Sequence, residues 1–247
     1  MEGKKTVRAA ERALDILLCF IQKPELSLTE ISRLTELNKS TVYRLLATLE
    51  EKGFLSRDSD TEKYKLGFRI WELSAHLSRS DDPAVLFLPG MERLRDEIEE
   101  TVSLYVRDGT ERVRVQAVES LQAIRRVAPV GARMPLAVGA ASKVLVAFAN
   151  PSLQEEILSD PQWPENVDPE PYREQLRKIR KQGYATSVEE REAGTSAVAV
   201  PIFGSRGEVE ASLAVSGPVG RLTEERIEEV VPHVLKAAKR MEKMLKR

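Results

Sequence analysis

The sequence predicts an α+β protein: an N-terminal winged helix-turn-helix, a linker helix, and a C-terminal domain built on an antiparallel sheet. Three observations carry this prediction. Residues 27–49, SLTEISRLTELNKSTVYRLLATL, hold two runs of helical periodicity separated by a tight turn. A small hairpin pattern follows at once, in which FLSR and KYKL flank the polar stretch Asp58-Ser59-Asp60-Thr61-Glu62. Beyond a break at Asp81-Asp82-Pro83, short strand patterns and helical patterns mix, with turn residues between them.

Ser27 is placed to cap the first helix of the motif, and Glu30 three residues on completes a capping box. Leu28, Ile31 and Leu34 then share a face, and Thr35-Glu36-Leu37 makes the turn. Asn38 caps the second helix, whose Val42, Leu45, Leu46 and Leu49 turn inward. Its outward face begins Lys39, Ser40, Thr41, Tyr43 and Arg44, short hydroxyls and cations at the end that a helix-turn-helix points into the major groove. Residues 37–49 contain no carboxylate, as a surface facing phosphate requires. With Ser27 and Thr29 on the first helix, and Arg57 and Lys63 on the hairpin, these are the candidate DNA contacts. The competing reading is a plain helical hairpin with a solvated outer face.

Length and charge bound the rest. The 247 residues allow two domains, and hydrophobic residues make up 42% with no run approaching a membrane span. The N-terminus MEGKKTVRAAERAL lacks an apolar secretory core, so a cytoplasmic protein is expected. A single cysteine, Cys19, leaves no internal disulfide and no cysteine-cluster metal site; a buried, inert thiol is expected. Net charge is −1, and residues 1–80 hold 14 Lys+Arg against 12 Asp+Glu. Affinity for nucleic acid must therefore come from local placement of charge.

Along the chain, residues 6–21 form the first helix, with Val7, Ala10, Leu14, Leu17, Leu18 and Ile21 as its apolar stripe. Gly67 closes the hairpin. Residues 68–80 read as one helix whose Ile70, Trp71, Leu73 and Leu77 exceed what so short a helix can hide, so it is expected to join the domains and meet a second copy. The expected boundaries are 1–67, 68–82 and 83–247. Residues 85–101 read as a helix interrupted near Pro89-Gly90, and residues 102–107 and 112–118 as a hairpin turned at Asp108-Gly109. Residues 124–128 suggest a third strand, 140–149 a helix of small residues, and 153–158 a short helix. Residues 160–171 carry four prolines and read as a loop, followed by an amphipathic helix over 172–182. Strands are expected at 196–202 and 209–216, then a helix at 224–246 capped by Thr223, with Pro232 kinking it.

Chemistry for catalysis is sparse. The two histidines, His76 and His233, offer no metal-ligand spacing, and no P-loop, GxGxxG, GxSxG or HExxH is present. No cofactor is expected. Gly217-Pro218-Val219-Gly220 reads as a tight turn before an anion site. An enzyme fused to a DNA-binding domain is the second hypothesis, and an effector-independent DNA binder the third.

Nearly the whole chain resembles the IclR family of bacterial transcription regulators. The resemblance is carried by AERALDILLCF, LSLTEISRLTELNKSTVYRLLATLEEKGFL and YKLGFRIWEL, then by RMPLAVGAASKVLVAFA, GYATSVEEREAGTSAVAVPIF and ASLAVSGP. It implies a GAF-like C-terminal domain that binds a small effector, usually a carboxylate, and a homodimer or dimer of dimers on a double-stranded DNA operator. It implies an effector pocket at Met134, Leu136, Val138, Ala140, Ala141, Ser187, Ala197, Ala199, Ala214 and Ser216. Ala197, Ser187 and Ala214 stand where relatives carry polar groups, which leads to an expectation of a more apolar pocket. SVEEREAGTSAVAVP and APVGARMPL resemble a subgroup controlling leucine and branched-chain amino-acid biosynthesis, so leucine or a related metabolite is the expected effector, with an organic acid as the alternative.

Overall fold

In the computed structural model, which describes residues 6–21, 23–75, 82–127, 129–161 and 163–245, the chain divides into two units, Met1–Arg79 and Ser80–Arg247, each with its own core. In the first unit, α1 (Arg8–Cys19), α2 (Leu28–Leu34) and α3 (Lys39–Glu51) precede a two-stranded antiparallel hairpin, β1 (Leu55–Arg57) and β2 (Tyr64–Leu66), and α4 (Phe68–Ala75). Ser27 and Glu30 form the expected capping box, and the Asn38 side chain accepts the Thr41 N–H at the start of α3. Ile16, Phe20, Leu26, Ile31, Val42, Leu46, Leu49, Leu55 and Tyr64 make the core.

The stripe expected on α1 is corrected. Ile16 and Phe20 enter the core, with Ala13 and Leu17 against it, whereas Val7, Leu14, Leu18 and Ile21 stay exposed. This helix is apolar on two sides, and periodicity cannot say which one meets α3. Cys19 is half-buried, and burial, followed by the nearby Asp15, pushes its thiol up, away from a reactive thiolate. On α4, Phe68, Trp71 and Leu73 are exposed, and Phe68 and Trp71 stack at 5.2 Å. Residues 76–80 of the expected helix, including His76 and Leu77, lie outside the described residues.

The second unit opens with α5 (Pro83–Leu86) and α6 (Leu88–Ile98), broken at Phe87, with Pro89 in the first turn of α6, where its missing N–H costs nothing. Then come β3 (Thr101–Asp108), β4 (Glu111–Val118), β5 (Arg133–Pro135), α7 (Ala140–Ala147), α8 (Pro151–Leu158), α9 (Pro169–Gln182), β6 (Ala185–Val188), β7 (Thr195–Phe203), β8 (Val209–Pro218) and α10 (Glu224–Leu245). The strands form one six-stranded sheet in the order β5-β4-β3-β8-β7-β6, every neighbouring pair antiparallel.

Strand alternation sends Val102, Leu104, Val198, Val200, Leu213 and Val215 to one face, against α6 and α10. Tyr105, Ala199 and Ala214 face the other side, against α7 and α9. The small residues let α7 lie close to the sheet, and all eight of its residues are buried. Pro232 sits inside α10, and the Thr223 hydroxyl accepts the Arg226 N–H at its start; Lys246 lies outside the described residues.

Three local expectations change. No strand forms at 124–127, where Ile124 and Val127 are exposed; the edge strand is β5, which pairs with β4, and Ala128 lies outside the described residues. The strand β6 was not expected, because ATSV is short and carries little apolar signal. The loop read over 160–171 ends earlier, since Asp168 caps α9 and both Pro169 and Pro171 fit its first turn. Gly217 lies within β8, and a Cβ there would meet the Glu100 carboxylate at 2.5 Å.

Candidate nucleic-acid interface and ligand pocket

On α3, Val42, Leu46 and Leu49 are buried while Lys39, Ser40, Tyr43 and Arg44 are exposed and Thr41 is half-exposed. The first turn holds no acid. The Ser40 hydroxyl donates to the Asn38 side chain at 2.9 Å, so it serves the cap in the free protein. Arg44 has no carboxylate partner among the described residues, leaving its planar fork open to a base edge or phosphate. Thr29 is exposed, whereas the Ser27 hydroxyl is engaged with Glu30. In the hairpin, Arg57 pairs with Glu62 at 2.8 Å and lies over the Tyr64 ring, whereas Lys63 is exposed. Together these residues give the first unit a cationic helix N-terminus, and they place the exposed Lys63 beside a hairpin turn that also carries Asp58, Asp60 and Glu62.

The second unit has a cavity between α7, the sheet and the loop after β6. It amounts to about 50 Å³ and is lined by residues that include Tyr105, Arg112, Arg114, Arg126, Gly139, Ala140, Ala141, Ser187, Ala197, Ala214 and Ser216. One water needs on the order of 10–15 Å³ by this measure, so the cavity has room for a few waters or one compact molecule. Four arginines and two glutamates, Glu190 and Glu192, line the cavity, for a net +2. The expectation of a more apolar pocket is therefore corrected.

Arg112 and Arg114 alternate along β4 and so share a face. Both are buried, and their guanidinium carbons lie 4.9 and 5.2 Å from the centre of the Tyr105 ring. Arg114 donates to the Tyr105 hydroxyl, from Nε at 3.1 Å and from a terminal nitrogen at 2.5 Å. Burial, aided by Arg191 and Arg114, pushes the Arg112 guanidinium down to about 10, which leaves it charged at neutral pH. The Glu190 carboxylate accepts the Gly139 N–H at 3.1 Å and pairs with Lys143 at 2.5 Å. Glu192 pairs with Arg126. These contacts fix the loop after β6 over the cavity.

Comparison with known proteins places both units. The family model "IclR helix-turn-helix domain" matches residues 9–59, and "Bacterial transcriptional regulator IclR C-terminal" matches residues 79–243. The chain belongs to the IclR family. It is similar to the HTH-type transcriptional regulator KipR of Bacillus subtilis, 32% identical over 92% of each chain. It is also similar to KdgR of Escherichia coli, 30% identical over 96% of this chain and 92% of that one. Among solved structures, an IclR homolog from Microbacterium hydrocarbonoxydans, complexed with 4-hydroxybenzoate, matches 96% of this chain and 99% of its own, with TM-score 0.84 and 28% identity. Thermotoga maritima IclR matches with TM-score 0.77 and 30% identity over 96% and 98%. This IclR-family chain is a DNA-binding transcriptional regulator.

Of the pocket residues that the family resemblance implied, Ala140, Ala141, Ser187, Ala197, Ala214 and Ser216 line the cavity. Met134, Leu136 and Ala199 are buried in the core beneath α7, and Val138 is half-buried; none of the four is part of the lining. Sequence reasoning missed Tyr105, Arg112 and Arg114. The available signal was the repeat Arg112-Val113-Arg114-Val115, where cations alternate with valines in a strand whose two faces are both covered.

Proposed function

We propose that this IclR-family regulator controls a metabolic operon and that a small molecule in the second-unit cavity modulates its affinity for a double-stranded DNA operator. Residues 1–67 read the operator, 68–82 connect, and 83–247 bind the effector. The N-terminal half of α3 enters the major groove, and the hairpin lies along the backbone. Homodimers or dimers of dimers engage two half-sites at once, which raises affinity without any new contact. The observation that carries the effector reading is the cavity itself: a small, charged space between α7, the sheet and the loop after β6. Its charged lining favours an organic acid over leucine. No helix of the described residues is long and apolar enough to cross a membrane, in keeping with a regulator that meets its operator in the cytoplasm.

Footprinting on the promoters flanking its gene, with and without candidate metabolites, tests this reading. A discrete pseudo-palindromic footprint whose occupancy changes with a metabolite is the expected result. Ala197→Phe should fill the cavity, abolish that response and leave the ligand-free footprint intact. A footprint insensitive to every metabolite would instead support the effector-independent binder.

A further inference from the structure

Arg112 is a buried cation that the fold does not neutralise. Arg112 is 4% exposed; among the described residues its Nε has no hydrogen-bond partner, and its one side-chain hydrogen bond is a weak contact to the Met134 sulfur at 3.7 Å. Among the described residues no carboxylate pairs with it. The other cations around the cavity are satisfied. Arg126 has Glu192, Lys143 has Glu190, and Arg114 holds the Tyr105 hydroxyl. Burying a charge without a counter-ion is costly, and a fold keeps such a group where something else completes it. The guanidinium also has nowhere to swing. Its terminal nitrogens lie 3.2 and 3.3 Å from where a Cβ on Gly139 would stand, so the glycine makes room for it.

Two further buried polar atoms without a partner, Ser103 Oγ and Ser212 Oγ, belong to the same face of the sheet. Ser103 pairs across β3 and β8 with Ala214, and Ser212 with Tyr105, both of which line the cavity. By contrast, the other natural anion site, the N-terminal end of α7, is already taken: Glu190 accepts the Gly139 N–H there and pairs with Lys143.

We propose that the cavity takes a compact organic acid whose carboxylate seats on Arg112, at the β4 wall, and that the α7 N-terminus is not its anchor. The proposal rests on the reading of this cavity as the effector site. The planar guanidinium offers two parallel N–H groups to a carboxylate, a geometry that an ammonium cannot match. The Ser187, Thr195 and Ser216 side chains, also in the lining, face the remainder of the molecule.

The test uses the full chain and matched probes at constant ionic strength: linear mono- and dicarboxylates of two to five carbons, each with its primary amide. Binding is read by calorimetry and melting shift in wild type, Arg112→Met and Arg112→Lys. At least one acid should bind the wild type while its amide does not. Arg112→Met should weaken that acid by about tenfold or more, the loss expected for a charge-assisted hydrogen bond. Arg112→Lys, which keeps the charge and loses the fork, should also weaken it, and it decides the matter if Arg112→Met does not fold. Equal binding of acids and amides overturns the proposal, as does wild-type affinity in the folded Arg112 variants, which would move the seat to the α7 N-terminus, or no acid binding at all. Operator affinity, measured in parallel by anisotropy, separates the two readings. An acid that binds through Arg112 without changing operator affinity refutes effector control and leaves the seat intact.

Discussion

Lys143, inside α7, donates to the Glu190 carboxylate at 2.5 Å, across 47 residues of chain. The lysine side chain is 7% exposed and the glutamate 33%, so this pair is shielded on one side only. Removing the glutamate strands a buried ammonium and frees the Gly139 N–H. Glu190→Ala is expected to destabilise the second unit by about 1–3 kcal/mol, toward the lower end because water reaches the carboxylate. Urea unfolding at two salt concentrations checks it. A loss near zero, or one that vanishes in salt, would class the pair with ordinary surface bridges.

The capping box on α2 makes a pH prediction. Backbone and side-chain hydrogen bonds from Ser27, then Lys23, pull the Glu30 carboxyl from an ordinary 4.5 to about 2. A folded-state value below the unfolded one adds stability above the unfolded value and loses it as pH falls through the folded one. The cap is therefore at full strength above about pH 4.5 and gone near pH 2. Ser27→Ala should return Glu30 toward its ordinary range. Carboxyl NMR titration of both proteins reads this directly, and an unchanged Glu30 would show that Ser27 is not the cause.

Gly67 ties the hairpin to the end of α3. A Cβ there would stand 2.3 Å from the Gly53 carbonyl oxygen and 3.0 Å from the Leu55 carbonyl carbon. Both are backbone, so neither can swing away. Gly67→Ala is expected to cost about 1–3 kcal/mol, the range for forced overpacking. Thermal melting followed by circular dichroism measures it, and an unchanged midpoint would mean that the hairpin yields at no cost.

The exposed apolar side chains of the first unit predict assembly. Phe68, Trp71 and Leu73 on α4, Leu14 and Leu18 on α1, and Ile21 just beyond it, are each more than half exposed. Leu73→Glu should shift sedimentation toward a smaller species and lower operator affinity, because two half-sites would no longer be bound together. An unchanged oligomer with unchanged affinity would place the contact elsewhere.

What the sequence made legible was local. Ser27, Asn38 and Gly53 announce caps and ends by their own chemistry, and Val42, Leu46 and Leu49 announce their face by spacing. Which side of α1 is buried depends on α3, since Leu14 and Ile16 are equally apolar. The β6 strand exists because β7 offers it an edge to pair with, not because ATSV prefers to be extended. The charged character of the cavity was hidden for a related reason. Arg112 and Arg114 stand in a strand pattern that leaves their burial open, and it is α7 and the 189–194 loop that cover them. Ala197 and Ala214, by contrast, were visible as small residues where a cavity needs room.

Arg44 and Lys63 should play different parts on DNA. Arg44 is exposed on the first turns of α3, without a carboxylate partner among the described residues, and beside Tyr43, which is 58% exposed. Its fork suits the paired acceptors on a guanine edge. Lys63 lies at the hairpin turn, where a point charge can meet a phosphate. The neighbouring Arg57 is less available, being held by Glu62 and stacked on Tyr64. Arg44→Ala should therefore cost about 1–3 kcal/mol on the operator and relax preference at one base position. Lys63→Ala should weaken operator and scrambled duplexes alike and reduce the salt slope by about one. Fluorescence anisotropy on both duplexes across a salt series distinguishes them. Equal losses on the two duplexes for Arg44→Ala would make Arg44 a phosphate clamp and move base reading to Ser40, Thr41 or Tyr43.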